Sequence, residues 1–239
     1  MSVKEYLSVA SFIWKDFYEI LFEPYKFFQN LFSNTDNRYL IGCLFFLVFA
    51  KTTDIVLDSV VKNETLTVEA GLPNLLLFII ANLIYCLLVV SFIRLFRFRF
   101  DTQIVVVSLI YLGGLLCLVG SVLSVLFRGV QIVYLPDAHI EFEAFIKLLE
   151  LDGSLVSDPG FKSDLKSFVF SNPAFYLFIA LTSSVFFVVR LMYIRLLCKA
   201  LITKYDQRKG ALWSLILLML SLSYLDDTLL KPLQASLGL

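Results

Sequence analysis

Lys51, Asp54 and Asp58 lie three and four residues apart inside a long apolar stretch, so a helix there carries all three on one face. Charges in such surroundings can form a structural ion pair, can line a path for a proton, ion or substrate, or can meet another membrane subunit. Near the middle of a bilayer each charge costs on the order of 2.5 to 3.5 kcal/mol, so Lys51 and Asp54 are expected to face other helices and not lipid. Asn82 and the run Thr182-Ser183-Ser184 sit at mid-depth of two further apolar stretches and are candidates to complete a polar interior. Amides and hydroxyls in such places more often join helices than bind ligands.

Other chemistry finds little support. His139 is the single histidine, beside Asp137 and Glu141, and a metal centre needs more ligands than that, so neither metal nor cofactor is expected. The pair Gly113-Gly114 opens no helix and precedes no lysine, which excludes a phosphate loop. Serines abound without a second histidine to activate one, so no catalytic constellation is visible and the chain is expected not to be an enzyme. Cys43, Cys86, Cys117 and Cys198 lie inside or at the ends of apolar runs, as buried small hydrophobes do. Asn63-Glu64-Thr65 fits a glycosylation sequon but lies within a few residues of an apolar run. No basic patch suggests nucleic acid.

The elements that position these residues follow from hydropathy. Of 239 residues 59% are apolar, 24 of them Phe, far outside the range of soluble domains. Tyr39 to Val61 makes a helix of about 34 Å, enough to cross a bilayer. Further spans are expected at Leu72 to Ile93, at Ile104 to Phe127, and from Pro173 through Val189, the last continuing as helix to Lys199. A fifth run, Ala211 to Leu225, makes only about 22 Å of helix and is short for a span. In the third span Gly113, Cys117 and Ser121 recur every four residues with Gly120 and Ser124 beside them, a stripe that permits close helix packing. Residues 1 to 38 read as amphipathic helices lying on the membrane, broken at Pro24, with Trp14, Phe17, Phe27, Phe28 and Phe32 as surface anchors. Residues 128 to 172 form a polar loop with one amphipathic helix over Ile140 to Leu151, too small for a core of its own. The expected fold is all-α: a five-span helical bundle over residues 39 to 239 with an N-terminal interfacial helix.

Charge orients this bundle. With five spans, residues 1 to 38, 94 to 101 and 190 to 209 hold 4, 3 and 6 bases, while the opposite side holds 6 bases and twelve acids. The N-terminus is therefore expected in the cytoplasm and the C-terminus outside.

Two phrases carry a resemblance. Ile20-Leu21-Phe22-Glu23-Pro24-Tyr25-Lys26-Phe27-Phe28-Gln29-Asn30-Leu31 before the first span and Tyr205-Asp206-Gln207-Arg208-Lys209-Gly210-Ala211-Leu212-Trp213 before the last resemble the layout of Yip-type membrane proteins. The resemblance implies five spans with a cytoplasmic N-terminus, and in eukaryotes a trafficking scaffold that binds Rab GTPases. The Pro/Gly/Gln-rich tail and the Asp-Leu-Tyr-Gly-Pro motif are missing and the outer loop is long, so the expectation is a bacterial inner-membrane protein. The function expected is a non-enzymatic scaffold or subunit of a larger envelope complex, with lipid, other membrane subunits or further copies of itself as partners. The alternative is a small transporter or channel whose path passes Lys51 and Asp54.

Overall fold

The computed structural model describes residues 14–33, 38–62, 68–95, 98, 100–151, 155, 158–205 and 213–221, and among them every regular element is a helix. In chain order these are α1 (residues 14–22), α2 (Pro24–Ser33), α3 (Arg38–Lys62), α4 (Val68–Leu95), α5 (Thr102–Tyr134), α6 (Pro136–Leu151), α7 (Pro159–Ser171), α8 (Pro173–Lys204) and α9 (residues 213–221). Four of them begin on a proline, a residue whose fixed φ suits a first turn and whose missing N–H is no loss there. At α7 the start is reinforced by Asp158, whose carboxylate accepts the Gly160 and Phe161 N–H groups at 3.2 Å each.

The chain divides into two units. The first takes in α1 to α4, α5 as far as Ser121, α8 from Val189, and α9. Here α3, α4 and α5 run up, down and up. Along α3 and α5 the contacts advance in step: Gly42 meets the Tyr111 hydroxyl, Leu47 and Phe46 meet Gly114, and Asp54 meets Ser121. Helix α4 returns between these levels, with Gly71 beside Ile55, Asn82 against Gly113, and Arg94 donating to the Thr102 hydroxyl at 3.3 Å. Glycine at 113 and 114 permits this close approach, since a Cβ would run into the Asn82 amide at the first and come within 2.8 Å of the Phe46 ring at the second. At the end where α5 begins, Asp101 caps that helix by accepting the Gln103 N–H, and its own N–H donates to the Tyr205 hydroxyl at the end of α8.

Four of the five N-terminal aromatics expected at the headgroup boundary are instead inside protein. Phe17, Phe27, Phe28 and Phe32 are buried in the core of this unit, and only Trp14 is exposed. Phe17 packs on Phe46 with ring centroids 4.7 Å apart and on Phe49 at 5.1 Å, and Phe27 packs edge-on to Tyr111 at 4.8 Å. The physical reason is complementarity: edge-to-face rings contribute about 0.5 to 1.5 kcal/mol beyond their area, which a lipid chain does not supply. The bend at Pro24, where one helical N–H is lost, folds α2 back far enough for Asn30 to donate to Glu19 at 3.3 Å. Helices α1 and α2 thus form an elbow seated in the bundle. The amphipathic residues before Trp14 lie outside the described residues.

The second unit, Val122 to Val188, holds the end of α5, α6, α7 and the start of α8. Where one amphipathic helix and turns were expected, the segment makes two helices, and α5 stays helical to Tyr134, seven residues beyond the expected end of its span. A small aromatic core of Phe142, Phe145, Phe168 and Phe175 joins α6, α7 and α8, and Arg128 pairs with Glu143 at 3.2 Å.

Among the described residues four helices are long and apolar enough to cross a membrane: Tyr39–Val61, Gly71–Leu95, Thr102–Tyr134 and Pro173–Lys204. The most apolar window of α5 is 67% buried and that of α8 only 11%, so α5 is the central post of its surroundings while α8 leaves a broad face uncovered. The fifth run, Ala211 to Leu225, falls partly outside the described residues. Its helical part, α9, buries Leu215, Ile216 and Met219, and the Tyr85 hydroxyl donates to the Met219 carbonyl at 3.2 Å.

Candidate functional site: an ion pair between three helices

Lys51 and Asp54 face inward on α3 as the three-residue spacing requires, with Lys51 Nζ 2.6 Å from Asp54 Oδ2. Their side chains are 21% and 31% exposed, so the pair is sheltered on most sides. Two further helices complete it. From α5, Ser121 Oγ lies 2.6 Å from Asp54 Oδ1 and 2.7 Å from the Cys117 carbonyl oxygen, its single proton serving one of them at a time. From α4, the Phe78 ring lies beneath the Lys51 ammonium at 5.4 Å, a cation–π contact strengthened by poor solvation. Both carboxylate oxygens of Asp54 are thereby engaged, and the ammonium has an anion and a ring. In low dielectric such mutual satisfaction is what lets the charges stay inside a span.

The remaining candidate residues do other work. Asn82 is buried, donates to its own helix at the Phe78 carbonyl (2.9 Å) and presses its carbonyl oxygen towards Gly113, so it serves the α4 to α5 contact. Asp58, a turn beyond Asp54, is exposed. Thr182, Ser183 and Ser184 belong to the second unit; Thr182 donates to Ile179 and Ser184 to Ala180, both at 2.8 Å and within their own helix, while Ser183 is exposed. Of the small-residue stripe, Gly113 and Ser121 make interhelical contacts, Cys117 and Gly120 are half-buried, and Ser124 is exposed. His139 is buried on α6, its Nδ1 without a hydrogen-bond partner among the described residues.

Two contributions escaped the sequence reading. Ser121 belongs to the small-residue stripe expected to pack helices, yet its hydroxyl hydrogen-bonds Asp54. Asp16, an acid of an amphipathic helix that is expected at the membrane surface, is 4% exposed and accepts from the Tyr111 hydroxyl at 3.4 Å. The signal was present: Asp16 lies four residues from Ile20, the most deeply buried residue of α1, hence on its apolar stripe.

No family model, curated protein or solved structure matches this chain.

The coupling of Lys51 to Asp54 has a direct readout. Lys51→Leu or Asp54→Leu alone strands one charge and is expected to cost about 3 to 5 kcal/mol, whereas the double change costs much less. Thermal unfolding of the purified variants in detergent checks this; small additive losses would show that both side chains reach water and are uncoupled.

Proposed function

We propose that this integral membrane protein is a non-enzymatic scaffold or subunit of a larger membrane complex. The observation that supports this reading is the closure of its intramembrane polar site. A conduction or transport path keeps polar groups available to its cargo, as in broken helices and water-lined cavities. Here Asp54 uses both oxygens on Lys51 and Ser121, Lys51 lies over Phe78, and Asn82 bonds its own helix. The charges therefore act as a tie between helices. The uncovered apolar face of α8, with Leu177, Leu181, Val185 and Val188 exposed in its first half, suits lipid or a neighbouring subunit.

The same reading puts the N-terminus in the cytoplasm, from the distribution of bases, with α9 as part of a fifth span. Support for the fifth span comes from Met219 lying at the depth of Tyr85, well inside the second span. A membrane-impermeant thiol reagent applied to intact cells is expected to label Ser163→Cys on α7 and to leave Ser33→Cys on α2 protected; the reverse pattern would invert the orientation.

Function is tested in two arms with the intact chain. Purification in mild detergent is expected to retain a membrane protein at fixed stoichiometry, and reconstituted liposomes are expected to pass protons, sodium and potassium no faster than protein-free ones. Flux that disappears in the Lys51→Leu/Asp54→Leu variant would replace the scaffold with a transporter.

A further inference from the structure

Asp16 is the one acid of α1 placed among rings and aliphatic side chains. It is 4% exposed, with Phe17 and Ile20 of its own helix buried beside it, and its oxygen faces Gly42 of α3, where a Cβ would sit 3.8 Å away. Among the described residues it has one hydrogen-bond partner, Tyr111, and at 3.4 Å that bond is long. Among the described residues, the ionisable groups around it offer no counter-charge from another helix. Lys15 on α1 is largely exposed and lies 3.8 Å from Glu19, which also accepts from Asn30 of α2; α3 presents Tyr39 and Cys43, and α5 presents Tyr111 itself. A carboxylate so little exposed, with one long hydrogen bond and no counter-charge among the described residues of the other helices, is poorly stabilised, and such burial favours the neutral acid.

The geometry points to Asp16 as a proton-binding site that ties docking of the α1 to α2 elbow to pH. Protonated, it sits neutral against Tyr111 and the elbow stays seated; ionised, it loosens the elbow from α3 and α5. The inference rests on the packing of the elbow and stands whether or not the scaffold reading holds. Burial pushes the Asp16 carboxyl up to about 7, opposed by the Tyr111 hydrogen bond and by Lys15, and reinforced by Glu19. The seated elbow therefore binds a proton that the released elbow gives up near the ordinary carboxylate value of 3.8. Docking is strongest below that value, weakens as pH rises towards about 7, and is flat above it.

Hydrogen exchange of the full chain in lipid nanodiscs, read at the amides of α1 and α2 and corrected for intrinsic exchange, tests this. Between pH 5 and 8 protection of the elbow is expected to fall on the order of 100-fold, while α9 holds its protection. Asp16→Asn, always neutral, is expected to abolish the fall. Tyr111→Phe removes the bond that favours the carboxylate, so the fall is expected to continue to higher pH. Protection independent of pH in the unaltered chain, an undiminished fall in Asp16→Asn, or an unmoved end point in Tyr111→Phe would each overturn the assignment.

Discussion

A lysine and an aspartate three residues apart in an apolar helix have no stable exposure to hydrocarbon, and the first unit is arranged so that neither has to find one. The pair alone would leave one carboxylate oxygen and most of the ammonium unsatisfied. Helix α5 closes the first gap with Ser121 and α4 the second with Phe78, so three helices must meet at one depth. That meeting sets the register of α3 on α5, and the register then decides where glycine is needed. Two turns below Ser121, Gly114 lets the Phe46 ring and the α3 backbone close in, and Gly113 does the same for Asn82. Ion pair and glycines are thus one packing solution.

The aromatic seam continues it. Phe46 touches Tyr111 on one side and Phe17 on the other, and Tyr111 touches Phe27, so the core passes from the spans into the elbow without a break. Rings give the seam shape as well as apolar area, since edge-to-face contacts fix relative orientation. Pro24 supplies the bend that brings α1 and α2 onto the bundle together. The elbow buries its apolar faces in protein, and Trp14, Tyr18 and Phe22 are the large apolar side chains it shows outside.

How much of this was legible in the chain depends on the range of the interaction. The four spans, their order and the facing of Lys51 towards Asp54 follow from hydropathy and helical spacing, both local properties. The starts of α2 and α8 at Pro24 and Pro173 were likewise readable. What failed was the choice of partner for an apolar face. An amphipathic stripe such as Phe17, Ile20, Phe27 and Phe28 says that water is excluded, not whether lipid or protein excludes it. The same limit hid Ser121: in a small-residue stripe a serine reads as a smooth surface, and only the register of α5 against α3 turns its hydroxyl to Asp54. The grouping of Thr182 to Ser184 with the ion pair rests on equal depth in separate spans, which carries no information on distance, and the Thr182 and Ser184 hydroxyls bond their own helix.

The central claim is that the α3 ion pair is closed by α5 at the level of Ser121. Oxidative cross-linking in native membranes tests it most directly, using paired cysteines in a Cys117→Ala background. Asp54→Cys with Ser121→Cys is expected to form an internal disulfide, whereas Val48→Cys, which points outward from α3, is expected not to bridge to Ser121→Cys. Efficient bridging from position 48 and none from position 54 would contradict the account, because it would place the opposite face of α3 against α5 and leave the ion pair without its third helix.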